Sequence, residues 1–394
     1  MNKKLHVLII PSWYPSFKED YVGSFFREQA IALSKENCRV GILFPELLSL
    51  RKLKNIKIFP SYSIYNDNGV NTFKLKWSNW FIKSKYLQIK AFKFIGHLLF
   101  KKYLSKFGKP DLIHCQSIFN ASFLGEYLST KYEIPFIIIE HNSGFYYKTQ
   151  GFQKYYNSAI RISSKAKKCF SVSSSYSKYL NKELKNNLEW GVHHNIVSDF
   201  FFKTRIQTPN TEKFIFLTIN RLHKIKNVDL LIKSFHLFNE IYPFSELRIV
   251  GVGYEYKQLK RLSRSLGIDK KVKFLGRLNR SEIPKQINQS HVYVHSSIYE
   301  TFGVVFVESL AMGRPVISTN VGGVNEIVDE TVGIIINDSN PDEFFQAMKN
   351  IKENYETFNP IKIREYCKKR FSEEFLTKKL ISHYADVLGH NNYT

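Results

Sequence analysis

Short apolar runs alternate with longer helical patterns along most of this chain, and that alternation decides what it can fold into. LHVLII, RVGILF, DLIHCQ, PFIIIEH and KCFSVSS mark the first half; FIFLTIN, LRIVGVG, VKFLG, HVYVHSS, PVISTN and VGIIIN mark the second. Continuous apolar runs of strand length are expected of strands buried on both faces, and parallel strands need a crossover between them. Strand–helix alternation therefore implies parallel, doubly wound α/β sheets. At 394 residues the chain is long enough for two of them. The texture turns polar and irregular near residues 200–210. We accordingly read one Rossmann-like domain over residues 1–204, a second over 205–372, and a closing segment, 373–394, made of a helix from about Glu374 to Val387 and a loose tail.

Charge narrows the partners. The net charge is +24. Residues 1–200 hold 30 basic and 13 acidic side chains, and residues 201–394 hold 28 and 21, so the first half carries most of the excess. A basic half attracts nucleic acid, anionic lipid or phosphorylated substrates, unless it is simply a lysine-rich surface. No apolar run reaches the roughly 20 residues needed to span a bilayer. The start, MNKKLHVLIIPSWYP, reads as a first buried strand and not as a signal peptide, because Pro11 cuts its apolar core short. Cys38, Cys115, Cys169 and Cys367 show no C-x-x-C pairing, which favours reduced thiols and argues against a zinc site.

The chemistry concentrates after the strands of the second half. In HVYVHSSIYETFGVVFVESLAMG, Glu300 falls in a loop after a strand, and Glu308 falls about two turns into the next helix, whose N-terminus begins near Gly303 and Val304. Free backbone N–H groups there suit a phosphate or sugar oxygen. Arg221 and Lys226 follow FIFLTIN; a guanidinium and an ammonium five positions apart suit a diphosphate. Gly251 and Gly253 follow the next strand, and Gly276 and Arg277 the one after. In a parallel sheet such strand ends converge on one crevice. Taken singly, each carboxylate reads equally well as a surface group, and a glycosidase pair is another reading. Gly322–Gly323, after PVISTN, fits a close backbone approach to a ligand or, equally well, a simple turn. In the first half, Gly23 stands at a loop–helix junction, and His114 and His141 each close a strand; one such histidine is usually structural, two on one rim point toward a site.

Assembled in order, these segments resemble glycosyltransferase family 4, the retaining GT-B enzymes. HSSIYETFGVVFVESLAMGRPVISTNVGGVNEIV resembles the family's E-x7-E, G-x-P-V and G-G-x-x-E segments, and NRLHKIKNVDLLI its R-L-x-x-x-K-G segment. PSWYPS…GSFFREQA, DLIHCQS, FIIIEHNS and NIVSDFF resemble its first-domain markers. The resemblance implies a GT-B fold, two Rossmann-like domains facing across a cleft, with the closing segment packed back on the first. It implies that Arg221 and Lys226 hold the donor diphosphate, Glu308 the ribose hydroxyls, and Glu300 with the amides of Phe302, Gly303 and Val304 the donor sugar. Gly251, Gly276 and Arg277 would border the nucleotide, Gly23 would approach the diphosphate, and His141 would bind a sugar hydroxyl or relay a proton. Asn220, Asn227 and His295 depart from the family's usual Gly, Gly and Pro, which we read as adjustments of loop geometry.

The activity implied is transfer of a hexosyl or N-acetylhexosaminyl unit, with retention, from a nucleotide-diphosphate sugar (UDP in preference to GDP) to a hydroxyl of a glycan or lipid-linked acceptor in bacterial surface polysaccharide assembly. No D-x-D motif occurs, and two cations can neutralise a diphosphate, so neither metal nor cofactor is expected. A nucleotide-sugar epimerase is the alternative; nucleic-acid binding is disfavoured because no RNA-recognition or zinc signature accompanies the charge. Phe81 to Lys109 carries eight lysines and no acid among aromatic and aliphatic residues. It reads either as a basic amphipathic stretch for an anionic membrane, which would place the protein in the cytoplasm at the membrane's inner face, or as a core helix with a wet lysine face.

Overall fold

A computed structural model describes residues 4–15, 20, 22–49, 60–81, 84–145, 155–184, 188–209 and 212–389. The chain divides into two compact units, Met1–Ile196 with Glu373–Thr394, and Val197–Ser372. Both are doubly wound α/β units.

Unit 1 contains β1 (Leu5–Pro11), β2 (Cys38–Ser49), β3 (Ser61–Asp67), β4 (Val70–Asn79), β5 (Leu112–Gln116), β6 (Phe136–Glu140), β7 (Lys168–Ser171) and β8 (Trp190–Val192). Their order is β3-β4-β2-β1-β5-β6-β7-β8, parallel throughout except for β3 against β4. β1 is buried along its whole length, as a strand with cover on both faces must be. The hairpin of β3 and β4 has no counterpart among the apolar runs, because β3 is mostly exposed. Its turn, Asn68–Gly69, has both residues at positive φ (50° and 89°), and an Asn-Gly pair is itself a strong hairpin signal.

The helix Lys85–Phe107 opens on Ser84, whose side chain accepts from the Leu87 N–H, and it stops at Gly108. Phe92, Ile95, Gly96, Leu99, Phe100 and Tyr103 form its buried stripe. The core-helix reading therefore holds for that stripe. The first turns differ: Tyr86 and Phe94 are 65% and 58% exposed, with Lys85 and Lys90 beside them. Ile82 and Lys83 of that stretch lie outside the described residues, as does the tail beyond Gly389.

The closing helix, Glu373–Leu388, belongs to unit 1. Lys35 pairs with Glu373, Tyr384 Oη lies 2.8 Å from His114 Nδ1, and His383 stacks on Phe170 at 4.3 Å.

Unit 2 contains β9 (Phe214–Ile219), β10 (Ser245–Val250), β11 (Val272–Gly276), β12 (Val292–His295), β13 (Val316–Thr319) and β14 (Gly333–Ile336), in the order β11-β10-β9-β12-β13-β14, all parallel. Phe216, Leu247, Ile249, Val292, Val294 and Ile317 from the sheet and Phe235 and Met348 from flanking helices fill one core. The boundary falls after Ile196, earlier than the 204/205 junction read from the polar texture. The reason is local. Val197 N donates to Phe371 O at 2.8 Å, so the entering chain pairs with its own exit. The stretch that looks like a linker begins inside a helix, Asp199–Lys203, whose N-cap is Ser198.

Candidate functional site

In unit 2 the sheet order reverses between β9 and β12, which makes their carboxyl ends the switch point where open α/β sheets bind ligands. The loop after β9 carries Arg221 and Lys226, and the loop after β12 carries Glu300. Two hydrogen bonds join these loops: Ser296 Oγ donates to Lys226 O and Ile298 N to Ile225 O, both at 2.9 Å. Lys226 Nζ meets Glu300 Oε2 at 2.6 Å. Burial alone would raise the Glu300 carboxyl, but Lys226 and His295 hold it well below the usual carboxylate range, so it is ionised. Arg221 is exposed and makes no ion pair among the described residues. Asn227, where the resembled family has Gly, sits at φ 49° and starts the helix Val228–Ile241; asparagine tolerates that left-handed backbone better than most residues do.

The helix after β12 is Val304–Ala311, with Gly303 (φ 85°) as its N-cap. Gly303, Val304 and Val305 are partly exposed, and the first N–H groups of a helix have no partner within it. Phe302 contributes backbone only, since its ring is buried against Phe371. Glu308 is the fifth residue of this helix, little more than one turn in and not two. Its side chain is 1% exposed and paired with Arg280, whose Nη1 lies 2.5 Å from Glu308 Oε1. The Arg280 guanidinium sits 4.7 Å over the Phe201 ring. Arg280 was missed in the sequence because its partner is 28 positions away and no spacing rule links a 3₁₀ turn at Arg280–Glu282 to a helix at 304.

The glycines divide by cause. A Cβ on Gly251 would stand 1.7 Å from Asn220 O, so glycine there is required by the packing of the β10 loop on the β9 loop. Gly322 is required likewise by Glu300 O, at 1.5 Å. What approaches Gly322 is the protein's own Glu300 loop, a cause that neither sequence reading, ligand approach or simple turn, had named. Gly276 (φ 70°) has open space about it, and Arg277 beside it is exposed. His295 does more than shape a loop: its Nε2 lies 3.6 Å from Glu300 Oε2.

In unit 1, Gly23 (φ 75°) caps the helix Ser24–Lys35 and is buried, its Cβ position 3.0 Å from Trp13 O. His141 follows β6, with its ring 5.4 Å and 4.7 Å from those of Phe25 and Phe26. Burial and nearby His114 push it down to about 3, against a hydrogen bond to Asn195, so it is a neutral imidazole. Glu140, unassigned in the sequence, accepts from Ile118 N at 2.7 Å and Asn142 N at 2.6 Å, fastening the loops after β5 and β6. His114 does not stand on the same rim. It is the middle residue of β5, fully buried, pushed to about 3 by burial, and engaged with Tyr384. A histidine near a strand's end in sequence proved to be inside the strand.

Comparison with known proteins places this geometry. Residues 199–370 match the family model described as Glycosyl transferases group 1. The alpha-monoglucosyldiacylglycerol synthase of Acholeplasma laidlawii is 24% identical over 353 residues, 83% of this chain and 86% of that protein. A probable sucrose-phosphate synthase of Thermosipho melanesiensis is 28% identical over 214 residues, 51% of this chain and 46% of its own length. The chain spans about half the length of several other curated relatives, between 42% and 56% in three further cases. Among solved structures, sucrose-phosphate synthase from Thermosynechococcus elongatus superimposes with a TM-score of 0.78 at 17% identity, covering 98% of this chain and 99% of that one. Anabaena HepE with UDP and glucose gives 0.71 at 18% identity, covering 96% and 99%. These likenesses establish the GT-B class of fold.

Proposed function

We infer that this chain, a glycosyltransferase whose second unit matches the group 1 family, moves a hexosyl or N-acetylhexosaminyl unit from a nucleotide-diphosphate sugar to an acceptor hydroxyl with retention of configuration. The observation that carries the reading is the Lys226–Glu300 ion pair at the switch point, 2.6 Å long, with Arg221 exposed on the same loop as Lys226 and the helix N-terminus at Val304 on the same loop as Glu300. Negative charge grows on the diphosphate as it leaves. Arg221, Lys226 and the amides of Phe302, Gly303 and Val304 meet it with fixed positive ends, and donors aimed at developing charge are among the largest contributions to catalysis. Glu300, kept ionised, accepts hydroxyls of the sugar. Glu308 takes the ribose, and Gly251, Gly276 and Arg277 border the nucleotide.

UDP is the proposed nucleotide, in keeping with the UDP and glucose named for HepE. Two cations suffice for the diphosphate, so the reading requires no metal. The test is a thermal-shift screen over UDP, GDP, ADP and their sugars, followed by product analysis of the best donor in excess EDTA. Binding a nucleoside diphosphate raises the melting temperature by mass action. Donor conversion without an acceptor would mean an epimerase, and activity abolished by EDTA would end metal independence.

A lipid-linked acceptor is the proposed class, favoured by one surface. Trp80, Phe81, Tyr86, Leu87 and Phe94 are exposed beside Lys85 and Lys90. Rings and cations together suit an anionic interface. This reading puts the protein peripherally at the cytoplasmic face of a membrane, in bacterial surface glycoconjugate assembly. Sedimentation with anionic but not neutral liposomes is the expected result; sedimentation with neither removes the membrane.

A further inference from the structure

We propose that His295 is a positioning residue for Glu300: braced by Tyr293, it backs the Oε2 side of the carboxylate and so sharpens which donor sugars are recognised. This rests on the donor-site reading above and adds to it a residue that no part of that reading uses.

Tyr293 and His295 are two apart on β12, so their side chains share a face. Both are buried, at 1% and 2% exposure. The Tyr293 hydroxyl lies 3.1 Å from His295 Nδ1, and His295 Nε2 lies 3.6 Å from Glu300 Oε2, the oxygen that also meets Lys226. At 3.6 Å the contact is longer than a hydrogen bond, but an ionised carboxylate only accepts, so the tautomer with its proton on Nε2 is the favourable one. Burial lowers the affinity of His295 for a second proton, which leaves Nδ1 bare to accept from Tyr293. The hydroxyl thus selects the tautomer that serves Glu300.

Packing holds the relay still. The Phe306 ring lies 4.6 Å from that of His295 and 5.5 Å from that of Tyr293. The same ring would stand 2.1 Å from a Cβ on Gly303. One aromatic ring therefore sets both the histidine and the turn that carries the helix N-terminus. Thr301 N donates to Glu300 Oε1 at 3.1 Å and Lys226, a flexible point charge, meets Oε2, so His295 is a third contact, on the Oε2 side. A rigid, buried ring against Oε2 limits how far that oxygen can swing, and hydroxyl epimers differ in direction more than in distance.

The test is calorimetry on the full chain with UDP and with UDP-glucose, UDP-galactose and UDP-N-acetylglucosamine, reading the ratio of each sugar nucleotide's affinity to that of UDP. Wild type is expected to favour one sugar. Glu300→Gln and His295→Phe should each flatten the preference about tenfold while UDP itself binds within about twofold of wild type, which also reports that the variant is folded. His295→Gln, which keeps a donor and an acceptor, should restore most of the preference. Tyr293→Phe, which keeps the ring against Phe306 and removes the hydroxyl, should lose part of it, and it serves if His295→Phe does not fold. A preference lost in Glu300→Gln but intact in His295→Phe and Tyr293→Phe overturns the proposal alone. A wild type that binds no UDP, or a preference untouched by Glu300→Gln, overturns the donor-site reading and this proposal with it.

Discussion

Arg280 holds Glu308 by an ion pair of 2.5 Å, with the carboxylate almost wholly out of solvent. A buried pair broken on one side leaves an uncompensated charge, which typically costs about 3–5 kcal/mol. Arg280→Met should therefore destabilise unit 2 by about 3 kcal/mol, and adding Glu308→Gln should recover much of the loss. Urea melts of the four proteins in a double-mutant cycle check this; additive losses would mean that the pair is not coupled. The same cycle read with UDP against 2′-deoxy-UDP tests whether Glu308 faces a ribose.

Arg221 and Lys226 should separate. Each alanine variant should lower kcat by about 10²–10³-fold, the usual loss for one charge-stabilising donor. Arg221 is exposed, so its variant should melt with wild type. Lys226→Ala leaves Glu300 without its 2.6 Å partner and should melt lower. Steady-state kinetics beside thermal melts show whether the two losses part in this way.

Acid should weaken unit 1 steeply. His114 and His141 are pushed to about 3 and His193 well below its ordinary value, all chiefly by burial. The unfolded chain takes up protons near pH 6.5 that these rings refuse, so the stability they contribute is complete above pH 6.5 and falls as pH drops toward their folded values. Glu140 opposes them. Burial raises it to about 7, so its contribution is present below the unfolded value near 4.5 and is lost as pH rises through 7. His383, pushed to about 4, and His97, also lowered, both chiefly by burial, act in the same direction, so the three rings against Glu140 set a lower bound of about 3 kcal/mol per pH unit between 6.5 and 4.5. Urea midpoints at pH 7.5, 6.5 and 5.5 should fall accordingly; a flat series counts against it.

Gly251→Ala and Gly322→Ala should fail where Gly276→Ala survives. The added methyl groups at 251 and 322 would stand 1.7 Å and 1.5 Å from backbone oxygens, whereas the one at 276 meets nothing. Backbone cannot yield as a side-chain tip can, so losses above about 3 kcal/mol are expected for the first two. Gly276→Ala carries only its left-handed φ, about 1–2 kcal/mol. Thermal melts and soluble yield rank the three.

The sequence was most informative where burial acts on consecutive residues. The eleven apolar runs correspond to strands, most of them buried along nearly their whole length. β3 escaped because its side chains face solvent, β4 because polar residues interrupt VNTFKLKWSN although it is largely buried, and β8 because Trp190–Val192 is too short to show a period. Arg221, Lys226 and Glu300 were legible because loops after strands of a parallel sheet share an edge. Arg280, Glu140 and the His295 contact were not. Each depends on a partner brought near by the fold, and His295 stands where the sequence suggested only a change of loop shape.

The first unit is assembled from two stretches, Met1–Ile196 and Glu373–Thr394, with all of unit 2 between them. Synthesis therefore inverts the usual order in which the earlier domain settles first. Val197–Ser372 is complete while β5 still waits for Tyr384, whose hydroxyl is the partner of His114. A chain cut short after residue 372 would emerge with its second unit whole and its first unit open along the face that Leu376, Leu380 and Tyr384 fill. The helix Glu373–Leu388 thus ties the maturity of the earlier unit to the synthesis of the later one.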